Sequence, residues 1–407
     1  MTTPGFNPST FFSPEIVELI LQHLTGTELL TTSQVSSSFY DSIANSKPSM
    51  QKIKLKLSRS QISDDEKNIL IKSKRKYENI EIEKFSHLID VTREILKVPR
   101  RQWKFVSFRG IDFESISDVN DVFSEFKSTI EELRMDQFYI RNVPKGFKYS
   151  SLLLFPKLHT MEARCCQAFL FHETFINCQS LECFIIKSGS AISTSAVEAI
   201  KNLLETNTNL KILGIHFNVF NLLFHEGVLN HVKFKLTEFH AKDLYRTPIF
   251  YDQQKKNLKR FLKGQIMTLE SVSIGDWMGI DVVKLIFLFP RLKNLTLEGF
   301  HHSDLFISWD NVTLHRNHNI THLFLNDKSN NFDILKKILI ATPNVKSLEL
   351  YAIDKKTLKF IGKSCKKLTS LHAEIYQTIC FPSEKSFRKL KHFSVKNIRL
   401  DISNNKF

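Results

Sequence analysis

The sequence predicts an α/β chain: a small three-helix unit followed by an irregular solenoid, with a curved parallel sheet and its helices outside. Three observations predict this. One apolar frame recurs at intervals of 22 to 33 residues between residues 50 and 395. Stretches with helical periodicity lie between successive frames. Residues 12–43 stand outside the repeat and carry helix-start and helix-stop signals of their own.

The chain has 407 residues, long for one compact core, which suits two domains or an elongated array. Hydrophobic residues make up 42% and charged residues 24%, the ordinary balance of a folded soluble protein. With 12 Gly and 11 Pro, long flexible linkers are excluded. Residues Met1–Thr10 lack a signal-peptide pattern, and no apolar run reaches the roughly 18 residues that span a bilayer. The expectation is a soluble protein of the cytoplasm or nucleus, without membrane association. Cys165, Cys166, Cys178, Cys183, Cys365 and Cys380 have neither disulfide-framework nor zinc spacing, so they are expected to be reduced and mostly buried. Net charge is +15 and favours acidic partners. Its lysines are scattered (Lys52, Lys157, Lys211, Lys293, Lys346, Lys391), as on the solvated side of each structural unit.

The frame reads apolar-x-x-apolar-x-apolar. It is strongest at Leu292/Leu295/Leu297, Leu210/Leu213/Ile215, Val345/Leu348/Leu350 and Ile320/Leu323/Leu325. Upstream it continues through Ile130/Leu133/Met135, Trp103/Val106/Phe108 and Tyr77/Ile80/Ile82 to a first copy read as Met50/Ile53/Leu55. Steps between first anchors run from 22 to 33 residues. The last two apolar positions lie two apart and share one face of a short strand, while the residue between them faces the other way. One such strand cannot bury its face alone, so neighbours must stack over a shared core. Residues 195–205, 281–289, 333–341 and 356–363 carry apolar residues at helical spacing. Spacing is loosest between Leu236 and Leu269, where a bulging loop is expected near Tyr245 to Asn257. The face opposite the core is the candidate target-binding surface, with Lys187, Thr296, Phe324, Glu349 and Ser394 as its sampled residues.

The frame resembles the leucine-rich-repeat family, whose period of roughly 20–29 residues brackets most of the steps. The likeness is greatest to its cysteine-containing branch, in which cysteine or proline precedes the first leucine: Cys178-Gln179-Ser180-Leu181, Cys365-Lys366-Lys367-Leu368, Pro156-Lys157-Leu158 and Pro290-Arg291-Leu292. The asparagine position that follows the strand in that family is irregular here.

Residues 12–43 begin with Ser13 as a helix cap, Pro14 in the first turn and Glu15 near the positive helix end. Ile16, Leu19, Ile20 and Leu24 form a helical stripe. Gly26 is read as the stop, Thr27 as the cap of a second helix, and Val35, Phe39 and Ile43 as the stripe of a third. A three-helix unit of this size is marginal alone and needs a partner or neighbouring domain. The segment resembles an F-box: Phe12-Ser13-Pro14-Glu15-Ile16-Val17 corresponds to the opening Leu-Pro-x-Glu and its aliphatic pair, Ile20, Leu24, Leu29 and Leu30 to the middle, and Val35-Ser36-Ser37-Ser38-Phe39 to the closing Val-Cys-x-x-Trp. Ser13, Ser36 and Phe39 replace the family's proline, cysteine and tryptophan. The division expected is F-box at 8–49 and repeats at 50–407. The resemblance implies a non-catalytic, cofactor-free substrate receptor of a Skp–cullin–F-box ubiquitin ligase. The F-box docks on a Skp-family adaptor, and through it on cullin and RING subunits. The repeats hold a protein target, acidic or phosphorylated, marked for proteasomal degradation. The adaptor-facing candidates are Pro14, Ile16, Val17, Ile20, Leu24, Leu29, Leu30, Val35 and Phe39, some of which must instead pack the F-box core.

Other chemistries find little support. His301, His302, Asp304, His315, His318 and His322 are dense, but His322 falls inside a strand frame where four-residue spacing does not converge on a metal. No phosphate-binding glycine loop or nucleophile elbow occurs. The alternative to the ligase receptor is a repeat scaffold binding protein, or nucleic acid through basic residues near Lys72 to Arg75 and aromatics such as Phe105.

Overall fold

The computed structural model describes residues 13–58, 62–83, 89–99, 101–142, 155–164, 166, 178, 180–187, 194–216, 219–220, 222–223, 232–242, 252–275, 279–298, 311–326, 332–351, 353–375, 387 and 389–397. The chain forms two compact units, residues 1–209 and 210–407.

The first unit opens with four short helices, α1 (Pro14–His23), α2 (Gly26–Thr32), α3 (Ser37–Asn45) and α4 (Lys47–Lys52). Strands and helices then alternate: β1 (Lys54–Leu57), α5 (Asp64–Lys72), β2 (Asn79–Glu83), α6 (Ile89–Leu96), β3 (Phe105–Ser115), α7 (Ile116–Ser124), β4 (Glu132–Asn142), β5 (Thr160–Arg164), β6 (Cys183–Lys187) and α8 (Thr194–Thr206). In this unit β1 to β6 pair in chain order, every pair parallel. The second unit contains β7 (Ile212–His216), β8 (Glu238–Lys242), α9 (Asp252–Gly264), β9 (Ser271–Gly275), α10 (Ile280–Ile286), β10 (Asn294–Glu298), β11 (His322–Asn326), α11 (Phe332–Ala341), β12 (Ser347–Leu350), α12 (Lys355–Ser364), β13 (Ser370–Ile375) and β14 (His392–Asn397). Its strands also pair in chain order and parallel. Each unit is therefore a solenoid of strand and connection, with described helices in the crossovers that parallel pairing requires.

The apolar frame sets the register. Leu295 pairs with Val272 and Leu323, and Leu297 with Ile274 and Leu325. Val106 pairs with Ile80 and Leu133, and Phe108 with Ile82 and Met135. All of these side chains are buried, and each contributes roughly 1.5–3 kcal/mol by leaving water. The first copy is a correction: Ile80 and Ile82 pair with Leu55 and Leu57, so the frame lies two residues later than Met50/Ile53/Leu55. Met50 and Ile53 are buried too, at the end of α4, which is why the pattern misleads there. The loop expected at Tyr245 to Asn257 is also corrected in part. Residues from Asp252 onward begin helix α9, while residues 245–251 lie outside the described set.

Two features were not legible in the frame. β3 and β4 each run 11 residues, and both turn at a left-handed residue, Gly110 (φ 63°) and Gln137 (φ 53°). These face each other between the register pairs Arg109–Asp136 and Ile111–Phe138, so both strands kink together. Past the kink, Phe113 and Phe138 join Phe108, Phe123 and Phe126 in a cluster of rings with centroids 5.0 to 6.3 Å apart. The second feature is a set of buried side-chain amides just upstream of the first anchors. Asn207 Oδ1 accepts from the Leu181 N–H at 2.8 Å, and Gln265 Oε1 accepts from the Leu236 N–H at 2.9 Å. In both cases the amide ties one repeat to the first anchor of the repeat before. Asn317 Nδ2 donates to the carbonyls of Phe287 and Phe289, at 3.1 and 2.9 Å. Buried backbone groups outside the ladder need partners, and these amides supply them. Of the cysteines, Cys166, Cys178 and Cys365 are buried thiols and Cys183 is half-buried; burial pushes Cys178 and Cys365 up to about 12. Cys165 and Cys380 lie outside the described residues.

Candidate protein-binding surfaces

The amino-terminal helices are set by local capping. Pro14 opens α1, preceded by an extended Ser13 whose side chain makes no capping hydrogen bond, contrary to expectation. α1 ends at His23, and Thr25, rather than Thr27, caps α2. The Thr25 hydroxyl accepts from the Glu28 N–H (3.3 Å) and the Glu28 carboxylate accepts from the Thr25 N–H (2.7 Å), a reciprocal capping box. Those hydrogen bonds, first from the Thr25 backbone and then from its hydroxyl, hold the Glu28 carboxyl below its ordinary range. Gly26 therefore starts α2 instead of ending α1. A Cβ on it would collide with the Lys52 carbonyl oxygen and sit 3.1 Å from its carbon, so α2 and α4 approach only through glycine. Lys52 Nζ donates back to the carbonyls of Gln22 and Leu24 at the negative end of α1. Ser36 caps α3 by accepting from the Phe39 N–H at 3.2 Å, a role the family's cysteine would fill poorly. Val35 thus precedes α3, and the third stripe shortens to Phe39 and Ile43.

Burial divides the nine adaptor-facing candidates. Val17 and Leu29 are buried, with Leu21 and Ile43, in the unit's own core. Leu24, Leu30 and Phe39 are half-buried, and the side chain of Pro14 lies outside the described set. Ile16 and Ile20 are each 46% exposed and Val35 60%. Leu19, part of the helical stripe but absent from the candidate set, is 59% exposed. Ile16, Leu19 and Ile20 share one face of α1 at i, i+3, i+4, whereas Val17 and Leu21 share the buried face. A short helix apolar on both faces has one face buried at home and one presented outward.

Around this patch the helices are anchored to the first repeat. Arg75 donates to the Ser33 hydroxyl at 2.6 Å and lies 4.7 Å over the Tyr40 ring, and the Tyr40 hydroxyl is 3.4 Å from that of Ser73. Residues 45–49 pass directly from α3 into α4, with Ser46 as its cap.

The outward faces of the two sheets differ. In the first unit charges alternate across strands and pair: Lys54–Glu81 at 2.8 Å, Arg109–Asp136 at 3.7 Å and Arg134–Glu162 at 3.6 Å. Lys187 belongs to this face, but it follows the frame of β6 rather than sitting inside it; Ile185 holds the inner position. In the second unit, register places Thr296, Phe324, Glu349, His372 and Ser394 side by side on β10 to β14. Four of the five sequence candidates thus fall into one row, spanning roughly 19 Å at the usual strand spacing. His372 was missed, although its place between Leu371 and Ala373 marks it. Among the described residues no group of three or more His, Cys, Asp or Glu is placed to hold a metal ion, and no helix is long and apolar enough to cross a membrane. His301, His302 and Asp304 lie outside the described set.

Residues 12–49 match the F-box domain family, so the four-helix start of the chain is an F-box domain. No curated relative matches the chain. Among solved structures it is similar to a chain in the crystal structure of the Rad7 and Elc1 complex in yeast, with a TM-score of 0.40 and 12% identity over 93% of this chain and 92% of that one. That likeness is too distant to carry an argument.

Proposed function

We propose that this protein is the substrate-recognition subunit of a cullin-type ubiquitin ligase, acting in the cytoplasm or nucleus. Its F-box docks on a Skp-family adaptor, and its repeats hold a protein target for ubiquitination. The observation that carries the reading is the outward apolar face of α1, Ile16, Leu19 and Ile20, with Val35 also exposed, on a domain that matches the F-box. Large apolar side chains set in water on a small helical unit mark a place where another protein covers them. Val17 and Leu29 then serve the domain's own core. The repeats contribute position: they bring a target close to a transferring enzyme, which raises its effective concentration without any bond chemistry from this chain. The row from Thr296 to Ser394 is the target-facing candidate on the sheet of the second unit, with Phe324 as its aromatic anchor.

Co-purification with a recombinant Skp-family adaptor tests the reading. The wild type should form a stable complex. Ile20→Asp with Val35→Asp should abolish it while leaving circular dichroism and melting unchanged, because both sites are exposed. Retention of the complex by this double variant, or no complex with the wild type, would sink the proposal.

A further inference from the structure

The net charge of +15 is not spread evenly over the helices. In the first unit cations on or just after one helix meet acids on or just after the next: Lys67–Glu94 at 2.7 Å, Arg93–Asp121 at 3.0 Å and Lys97–Glu125 at 3.9 Å. In the second unit α9 carries Lys255, Lys256, Lys259, Arg260 and Lys263. Its buried face is Leu258, Phe261 and Leu262, so the five cations form the opposite stripe. Neighbouring α10 offers Asp281, 3.6 Å from Lys259, but also Lys284. Like charges at i, i+4 recur along the stripe (255/259, 256/260, 259/263) and destabilise the helix that bears them. The pattern returns on α12, where Lys355, Lys359 and Lys363 are exposed at i, i+4, i+8. Both helices cross between parallel strands, which places them on the same side of that sheet.

We propose that the helix side of the second unit, centred on the α9 stripe, is a docking surface for an acidic segment of a protein, a run of aspartate and glutamate carboxylates. This rests on the receptor reading only for the identity of that protein as the target; the surface itself stands on the charge pattern. A protein segment fits the stripe better than single-stranded nucleic acid, because the described exposed residues of α9 include no aromatic ring on which a base could stack. The target would then lie on the helix side as well as, or instead of, the Thr296–Ser394 row.

The test uses the full chain and a fluorescent twenty-residue peptide of alternating Glu and Asp, with a duplex DNA of twenty base pairs in parallel. The variant is Lys256→Glu, Arg260→Glu, Lys263→Glu. The control makes the same charge change at three separate exposed sites, Lys157→Glu, Lys346→Glu, Lys391→Glu. Circular dichroism checks that both fold, and neutralisation of the α9 trio to Gln repeats the measurement without reversing charge. Salt-sensitive peptide binding is expected, at least tenfold weaker in the α9 reversal than in the control, with the Gln set between. Equal losses in the two triple variants, absence of peptide binding, or duplex binding tighter than peptide binding at equal salt would each overturn the proposal. Adaptor co-purification of the α9 reversal is measured alongside. It should persist, so failure of the stripe and failure of the ligase reading give separate results.

Discussion

Replacing Asn207 by leucine probes the joint between repeats. Asn207 is fully buried; its Oδ1 accepts from the Leu181 N–H at 2.8 Å and its Nδ2 donates to the Leu203 carbonyl at 2.8 Å. Leucine has the same number and branching of side-chain heavy atoms as asparagine but bulkier methyl groups and no polar atoms, so any overpacking adds to the loss. The Leu203 carbonyl would keep two donors, the Asn207 backbone N–H at 3.0 Å and the Thr206 hydroxyl at 3.2 Å. The Leu181 N–H would keep none of the partner it now has, and a buried orphaned donor costs about 1–3 kcal/mol. For a unit of this size each kcal/mol moves the melting temperature by about 2–4 °C, so a cost near 2 kcal/mol implies a fall of about 4–8 °C. Thermal unfolding followed by circular dichroism reads this, and hydrogen exchange at Leu181 should lose protection first. Asn202→Leu, at an exposed position on α8, the helix that ends just before Asn207, should move the midpoint by less than about 2 °C. If Asn207→Leu melted within 1 °C of the wild type, the amide would not be holding the repeats together and the reasoning would fail.

Two further outcomes follow from local geometry and charge. Gly26→Ala should destabilise by about 1–3 kcal/mol, because the added Cβ meets the Lys52 backbone and overpacking outweighs a helix-propensity gain of at most ~1 kcal/mol; Gly264→Ala, with nothing within 4 Å, should be neutral or stabilising, and equal melting shifts for the two would refute the account. Burial works to raise the Glu81 carboxyl, but Lys54 and Lys56 outweigh it and hold the group below 4.5; likewise hydrogen bonds from Thr357 overcome burial at Asp354 and hold it below 3.8. The native state therefore binds fewer protons than the unfolded chain just below those ordinary values, so this stability is present above them and lost as pH falls. Glu81→Gln should accordingly show a smaller fall in melting temperature between pH 7 and pH 3.5 than the wild type, and an equal fall would count against the pairing.

The sequence by itself determined the repeat. A period-2 apolar pair can only be buried by stacking, so the frame at Leu292/Leu295/Leu297 and its relatives dictated parallel strands in register before any coordinates. It also marked the F-box, whose order of Pro14, Glu15, Ile20, Leu24 and Leu29 is local. Tertiary structure decided which side of each helix is home. Val17 and Ile16 are neighbours of equal apolarity, and only the packing of α1 against α3 and α4 buries one and exposes the other. It decided the first register too: Met50, Ile53, Leu55 and Leu57 are all apolar, and only pairing with β2 selects the last two. The amides of Asn207 and Gln265 gain meaning from a backbone N–H 26 and 29 residues away. The α9 stripe is plain as composition, but its exposure and the scarcity of acids beside it among the described residues depend on which helix lies next. Patterns within one element are carried by the chain; choices between equally apolar or equally charged residues are made by neighbours distant in sequence.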